Sequence, residues 1–218
     1  SEHCSKYKIS KLDCVRLFPV LSRRQSLKRF LAHHELFLKT LDVPGDIIEL
    51  GVYRGLGLLS WANFLETYSI GDRTKRVFGF DNWSGFKEFD KKDGKEIKNA
   101  GKVVGGFSPK KFKEELENAI KIFDKDRFVS WKKRLEIIDG DIEKTIPAFV
   151  KSNPGLRFSL IHFDVDLYKP TKIALEQLWP KLSRGGILIF DEYGIGDWQG
   201  ETQAVDEFIK TLDDKDIK

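Results

Sequence analysis

Gly45-Asp46-Ile47-Ile48-Glu49-Leu50-Gly51-Val52-Tyr53-Arg54-Gly55-Leu56-Gly57 is the stretch that decides how this chain reads. Ile47-Ile48-Glu49-Leu50 has the apolar content of a buried strand. It breaks into three glycines, and a helical pattern then runs from Leu58 to Tyr68. Glycine serves where backbone must turn tightly or approach a ligand closely. A strand, a glycine loop and a helix together form the usual α/β cradle for a nucleotide-like cofactor. Tyr53 stands where G-x-G-x-x-G needs its second glycine, which argues against a dinucleotide. The pattern is E-x-G-x-x-x-G-x-G, and its carboxylate would repel a pyrophosphate but attract a cationic ligand end. S-adenosyl-L-methionine, with its ammonium and sulfonium, satisfies that demand; Glu49, Gly51, Tyr53 and Gly55 are its candidate cradle. A glycine-rich turn without a ligand is the plainer alternative.

Strand and helix signals alternate outward from this unit. Strands are expected at 46–50, 76–81, 135–139, 158–164 and 187–191, with helical patterns at 58–68, 109–123, 145–152 and 171–182. Ser108 can cap the second of these, with Pro109 at its first position. Such alternation implies right-handed crossovers and a parallel sheet covered on both faces, a Rossmann-like α/β fold in one domain. Upstream, residues 1–44 form an N-terminal helical cover ahead of a 45–212 core. Ser22-Arg23-Arg24-Gln25 matches a capping box. Leu27, Phe30, Leu31, His34, Leu38 and Leu41 then recur at helical spacing, with His33 and His34 read as ordinary surface histidines. Residues 84–107, rich in Lys, Asp and Gly, read as a mobile lid loop over the site.

Four of the five expected strands end on an acid: Asp81, Asp139, Asp164 and Asp191. Those ends form the ligand crevice of an open parallel sheet. Asp81 is placed to hold ribose hydroxyls, with Ser84 in the turn after it, although a turn cap explains Asp81 as well. Asp141, with Ile142 beside it, follows the third strand where an adenine edge would lie; helix capping is its alternative role. The sharper constellation is His162-Phe163-Asp164-Val165-Asp166-Leu167-Tyr168 with Phe190-Asp191-Glu192-Tyr193. Neighbouring strand ends lie about 4.8 Å apart, and carboxylates gathered so closely repel unless a proton or cation sits among them. A hard divalent ion such as Mg²⁺ suits oxygen donors. It could hold two neighbouring hydroxyls and acidify one, with a nearby carboxylate or His162 taking the proton. Solvated loop acids are the plainer alternative.

With these residues in view, the sequence resembles the macrocin-type (TylF/MycF) sugar O-methyltransferases, a family that includes the novobiocin sugar methyltransferase. The likeness runs from about Gly45 to Phe208 and is carried by several motifs. These are Gly45 through Gly55, Phe80-Asp81, Gly140-Asp141 through Pro147, His162 through Tyr168, Arg184-Gly185-Gly186 through Gly194, and Gln203 through Phe208. The resemblance implies a class I methyltransferase fold, S-adenosyl-L-methionine as donor, and Mg²⁺-assisted transfer to a sugar hydroxyl. It implies Asp164, Asp191 and Glu192 as metal ligands and a base in the Asp164/Asp166 region. Glu192 departs from the second Asp usual in the family. A catechol-like diol acceptor, or a cofactor-binding scaffold without catalysis, are the competing expectations.

Composition sets the outer bounds. The 218 residues carry 38 Lys+Arg against 34 Asp+Glu, a net charge of +4. That is too even for a nucleic-acid stripe. No apolar run approaches the ~20 residues of a membrane span, and no signal peptide is visible. Cys4 and Cys14 lie outside any metal-type spacing. A reduced, cytoplasmic protein acting on a small glycosyl or diol substrate is the expectation, with self-association left open. Methionine is absent, which suggests a processed or trimmed chain. The residues after 212 are too few for the terminal hairpin of a class I sheet.

Overall fold

The computed structural model describes residues 2–213. Three short helices, α1 (Glu2–Lys6), α2 (Lys11–Arg16) and α3 (Phe18–Leu21), precede the longer α4 (Arg24–Leu38). The core then alternates: β1 (Asp46–Leu50), α5 (Leu56–Tyr68), β2 (Val77–Asp81), α6 (Lys113–Asp126), β3 (Leu135–Asp139), α7 (Ile142–Ser152), β4 (Phe158–Phe163), α8 (Tyr168–Leu178), β5 (Leu182–Phe190) and α9 (Gln199–Ile209). The five strands form a parallel sheet in the order β3-β2-β1-β4-β5, as the alternating pattern requires. Residues 214–218, most of the tail judged too short for a hairpin, lie outside the described residues.

Two apolar layers hold the sheet. Ile47, Val77, Leu135 and Leu160 face Leu58, Trp61 and Leu65 of α5, Phe37 of α4 and Leu116 of α6. On the opposite side Ile48, Phe78, Phe80, Ile161 and Phe163 meet Ile146 of α7, Ala174, Leu175 and Leu178 of α8, and Val205 of α9. Successive residues of a strand point to opposite faces, so the near-continuous apolar run of β1 is what burial on both sides demands. The register aligns Leu50 with Phe80 on one side and Phe163 on the other, and Phe163 with Phe190. The carboxyl ends of β2, β3, β4 and β5 therefore bring Asp81, Asp139, Asp164 and Asp191 to one rim.

Several local expectations are corrected. Ser22 does not cap α4: its N–H bonds to the Phe18 carbonyl and closes α3, and α4 starts after Arg23 with no side-chain cap. Nor does Ser108 cap α6. Its hydroxyl donates to the Trp83 carbonyl, and a 3₁₀ turn at Lys110–Phe112 delays α6 to Lys113. β5 begins at Leu182, five residues earlier than expected, because a register irregularity opposite Phe158–Leu160 absorbs Gly185 at φ +82°. The buried face of α4 is also rotated by about one residue. Leu31 and Leu38 are exposed, whereas His33 and Phe37 are buried. His33 is 3% exposed and stacked on Trp61, not a surface histidine.

Residues 84–107 cover the rim, but they are tied down. Lys102 is 2% exposed, and its ammonium donates to the carbonyls of Asp93 and Asp197 at 2.5 Å each. The buried Asp93 carboxylate accepts from the N–H of Tyr168 and of Asp90.

A second buried polar anchor lies at the far end of the sheet. Glu66 Oε1 accepts from Arg127 Nε at 3.0 Å and Arg134 Nε at 2.8 Å, both guanidinium groups being almost fully enclosed. Removing one partner of a buried pair strands the other charge. Glu66→Ala should lower stability by about 3 kcal/mol, measured by urea unfolding; a change below about 0.5 kcal/mol would show that the backbone carbonyls suffice.

Candidate active site

A cavity of about 550 Å³ opens along the rim, lined among others by Gly51, Tyr53, Asp81, Asp141, Ile142, Asp164, Asp166, Asp191 and Glu192. That volume lies within the usual range for small-ligand sites. Its floor is the glycine loop. Gly51 sits at φ +87°, where a Cβ would strike the Asp164 carbonyl. Glycine is therefore required here by the crossing of two chain segments. Asp81 fixes the same loop: Oδ2 accepts from the N–H of Val52 and of Tyr53, and Oδ1 from that of Trp83. A carboxylate offers about four acceptor positions, so three are used and one is left toward the cavity. Tyr53 is held at φ +49°, a left-handed backbone that side chains other than glycine adopt at a cost.

Expected site residues separate into two groups. Gly51, Tyr53, Asp81, Asp141, Ile142, Asp164, Asp166, Asp191 and Glu192 line the cavity, whereas Glu49, Gly55, Ser84 and His162 do not. Gly55 caps α5 at φ +82° and packs on Leu116. Ser84 turns back on Asn82 through its N–H and its hydroxyl. Glu49 is 2% exposed and lies beneath α5, accepting from Trp61 Nε1 at 2.7 Å, with His162 Nδ1 at 3.4 Å. The carboxylate expected to meet a cationic ligand end is thus spent inside the protein. Asp141 caps α7 through the Glu143 N–H and pairs with Lys87 at 2.9 Å.

The second half of the rim is an electrostatic cluster. His162 is fully buried, with Glu49 on one ring nitrogen and Asp191 Oδ1 3.7 Å from the other. Burial alone would lower its pKa, but hydrogen bonding to Asp191 and Glu49 and the charge of Glu49 outweigh it, raising it to about 10. His162 is enclosed and does not line the cavity, so it stands behind Asp191 rather than beside an incoming hydroxyl. Burial, with the repulsion of Asp191, pushes Asp164 up to about 6 despite the nearby His162 and Arg29. Asp166, at φ +61° on the turn after β4, is pushed up to about 8 by burial and by the charges of Asp164 and Glu192. Asp191 goes the other way: burial is overcome by hydrogen bonding to His162 and the charge of Arg29, which hold it below the ordinary carboxylate value.

Arg29 was not anticipated. Its Nη2 reaches Asp164 Oδ2 at 2.5 Å and Asp191 Oδ2 at 3.2 Å. Arg29, His33 and Phe37 share one row of α4 at i, i+4 and i+8. Counting polar residues into the buried face would have revealed that row. Phe86, Phe89, Phe107 and Trp198 form an aromatic wall on the lid side, with neighbouring ring centroids 5.7 to 6.0 Å apart. Trp83 stays buried outside the wall, donating to Asp139.

Carboxylates at the ends of β4 and β5 have the donor chemistry of a hard divalent cation, and a cationic group already lies between two of them. The expected triad is only partly assembled, however. Among the described residues, the one set whose potential ligand atoms all lie within 4.8 Å of one another is His33, His162 and Asp191, not Asp164, Asp191 and Glu192. The N–H of Glu192 donates to Glu201. Asp164, Asp191 and Glu192 offer the oxygen donors that a hard cation prefers.

Comparison with known proteins fits this geometry. The family model described as Macrocin-O-methyltransferase (TylF) matches residues 23–216. The chain belongs to the TylF family. Its fold is that of the solved calicheamicin methyltransferase CalS11 (TM-score 0.85, 30% identity), the likeness covering 91% of this chain and 77% of CalS11. It is 29% identical to an 8-demethyl-8-(2,3-dimethoxy-alpha-L-rhamnosyl)-tetracenomycin-C 4'-O-methyltransferase from Streptomyces olivaceus, over 76% of this chain. It is 26% identical to the demethyldecarbamoylnovobiocin O-methyltransferase of Streptomyces niveus, over 79% of this chain. The matches span 64% of the length of each of these two relatives. This TylF-family chain thus has a Rossmann-like class I methyltransferase fold.

Gly57 tests the buried half of the site. A Cβ there would strike the Glu49 carboxylate. Gly57→Ala should therefore cost about 1–3 kcal/mol through overpacking, despite the better helix propensity of alanine. Thermal unfolding measures it, and an unchanged or raised midpoint would remove Glu49 from its structural role.

Proposed function

We propose that this chain transfers the methyl group of S-adenosyl-L-methionine to a hydroxyl of a sugar, on a glycosylated natural product or a surface polysaccharide. The supporting observation is the division of the rim. Asp81 and Asp141 stand on the β2–β3 side of the glycine loop, and Asp164, Asp166, Asp191 and Glu192 on the β4–β5 side, around one cavity. The first side suits the nucleoside end of the donor: Asp81 has an acceptor position left for a ribose hydroxyl, with Ile142 flanking the base. The second side suits the acceptor. Membership of the family and the sugar methyltransferases among the relatives support this reading.

In this reading the acceptor hydroxyl lies between the carboxylates and the donor. A carboxylate of the Asp164–Asp166 turn takes its proton, and the oxygen attacks the S-methyl carbon in line. The new O–C bond forms as the C–S bond breaks, and the sulfur leaves as a neutral thioether. A divalent cation held by Asp164, Asp191 and Glu192 would supply positive charge that lowers the pKa of the hydroxyl. His162 positions Asp191 from below, while the lid and α4 exclude water and fix the approach, which is where orientation gains its rate. The aromatic wall fits the apolar face of a sugar. It also fits a flat catechol ring, and competitive turnover on glycosides and catechols separates the two acceptors.

Asp164→Ala should reduce methyl transfer by about 100-fold or more, while donor affinity by calorimetry stays within about threefold because Asp81 and the glycine loop are untouched. Normal turnover in this variant would remove the carboxylate cluster from catalysis. Chelation should depress wild-type turnover and added Mg²⁺ restore it. Donor binding with no turnover on any sugar or diol would favour a scaffold.

A further inference from the structure

Among the arginines that pair with carboxylates in this fold, Arg127, Arg134 and Arg29 are built differently. Arg127 donates to Glu66, Asp124 and the Lys132 carbonyl; Arg134 donates to Glu66 and the carbonyls of Lys75 and Asp72. Every nitrogen is used and both side chains are almost wholly enclosed. Arg29 is the opposite case. One nitrogen, Nη2, serves two carboxylates, Nε is buried without a hydrogen-bond partner, and the side chain, 39% exposed, lines the cavity. A guanidinium binds best through its fork of donors, so this pairing uses a small part of what Arg29 offers.

It holds Asp164 Oδ2 and Asp191 Oδ2, and so occupies the space between the two carboxylates that a divalent cation would bridge. One group of positive charge can lie between them at a time. The helix that carries Arg29 is also unevenly anchored. His33 and Phe37 are its buried residues. Arg24, Gln25, Ser26 and Lys28 are exposed, and the start of the helix has no side-chain cap. In the first two turns of α4, Phe30 packs against Phe64 of α5, and Arg29 reaches the carboxylates at the ends of β4 and β5.

We propose that Arg29 is a built-in competitor for the carboxylate pair, exchanged for a divalent cation, and that its release loosens the first turns of α4 at the mouth of the acceptor side. The proposal rests on the reading of Asp164 and Asp191 as cation ligands. The exchange is one of charge for charge: the guanidinium leaves both oxygens, stays protonated and moves into the cavity, where it can meet an anionic portion of an acceptor. Held in this way, the carboxylates remain close and oriented instead of repelling one another apart, and the entry of an ion is coupled to the opening of the helix.

Titration calorimetry with Mn²⁺ and with Mg²⁺ alone, on the whole chain, tests this without reference to turnover. Arg29→Met should bind the ion about tenfold more tightly than wild type. Arg29→Lys, a point charge without the fork, should fall between them, and Asp164→Ala should abolish binding. In wild type, amide exchange over residues 24–31 should rise on adding Mn²⁺ while residues 33–38 stay protected. Equal or weaker affinity in Arg29→Met would overturn the competition while leaving the cation reading intact. Absence of ion binding in wild type and both Arg29 variants would overturn both. If Arg29→Met fails to fold, Arg29→Lys and wild-type exchange decide: unchanged affinity in the first and unchanged exchange in the second overturn the proposal.

Discussion

A polar run, Glu49–His162–Asp191–Arg29–Asp164, buried at Glu49 and His162 and opening to the cavity at its other end, is the constraint around which this structure is built. It crosses from beneath α5, through the last residues of β4, to the end of β5 and up to α4. Charges out of water are tolerated only when paired, so each member dictates where its neighbours can stand. Glu49 needs Trp61 and His162, which fixes α5 against β1 and demands a glycine at position 57. His162 needs Asp191, which ties the end of β5 to β4. Asp191 and Asp164 need Arg29, which draws α4 over the rim. The helical cover and the sheet are joined by electrostatics at the place where a ligand would enter.

This arrangement explains why the two halves of the rim behave differently. Around Asp81 the polar groups are satisfied by backbone N–H groups, so the loop is preorganised by its own chain. Around Asp164 and Asp166 acids outnumber the cations near them, and burial with mutual repulsion raises both. An under-neutralised set of carboxylates in a cavity is a demand for positive charge, and perturbed groups of this kind mark functional sites more often than structural ones. In the proposed reading, that demand lies beside a hydroxyl that must lose a proton.

Much of the fold was legible in the residues. Apolar runs of four to six bounded by turn signals locate β1 to β4 because strands buried on both faces have little freedom in composition, and strand–helix alternation leaves few topologies. Element ends were read less well. Ser22 and Ser108 have the chemistry of caps but are used by neighbouring turns, and local sequence does not say which turn wins. The face of α4 differs from the hydropathy pattern because its buried residues include His33, which hydropathy scores as surface.

By itself the sequence determined the parallel sheet, the rim of acids and the glycine loop, since these follow from period, strand ends and the conformational range of glycine. Tertiary structure alone decided which acids face the cavity. Glu49 and Asp164 look alike as strand carboxylates. A side chain within the strand points into the layer between sheet and helix, and one just beyond its end points into the crevice. Arg29 lies 135 residues from the aspartate it holds. No local pattern encodes a partner at that separation, and only the docking of α4 on the sheet brings the guanidinium to the carboxylates.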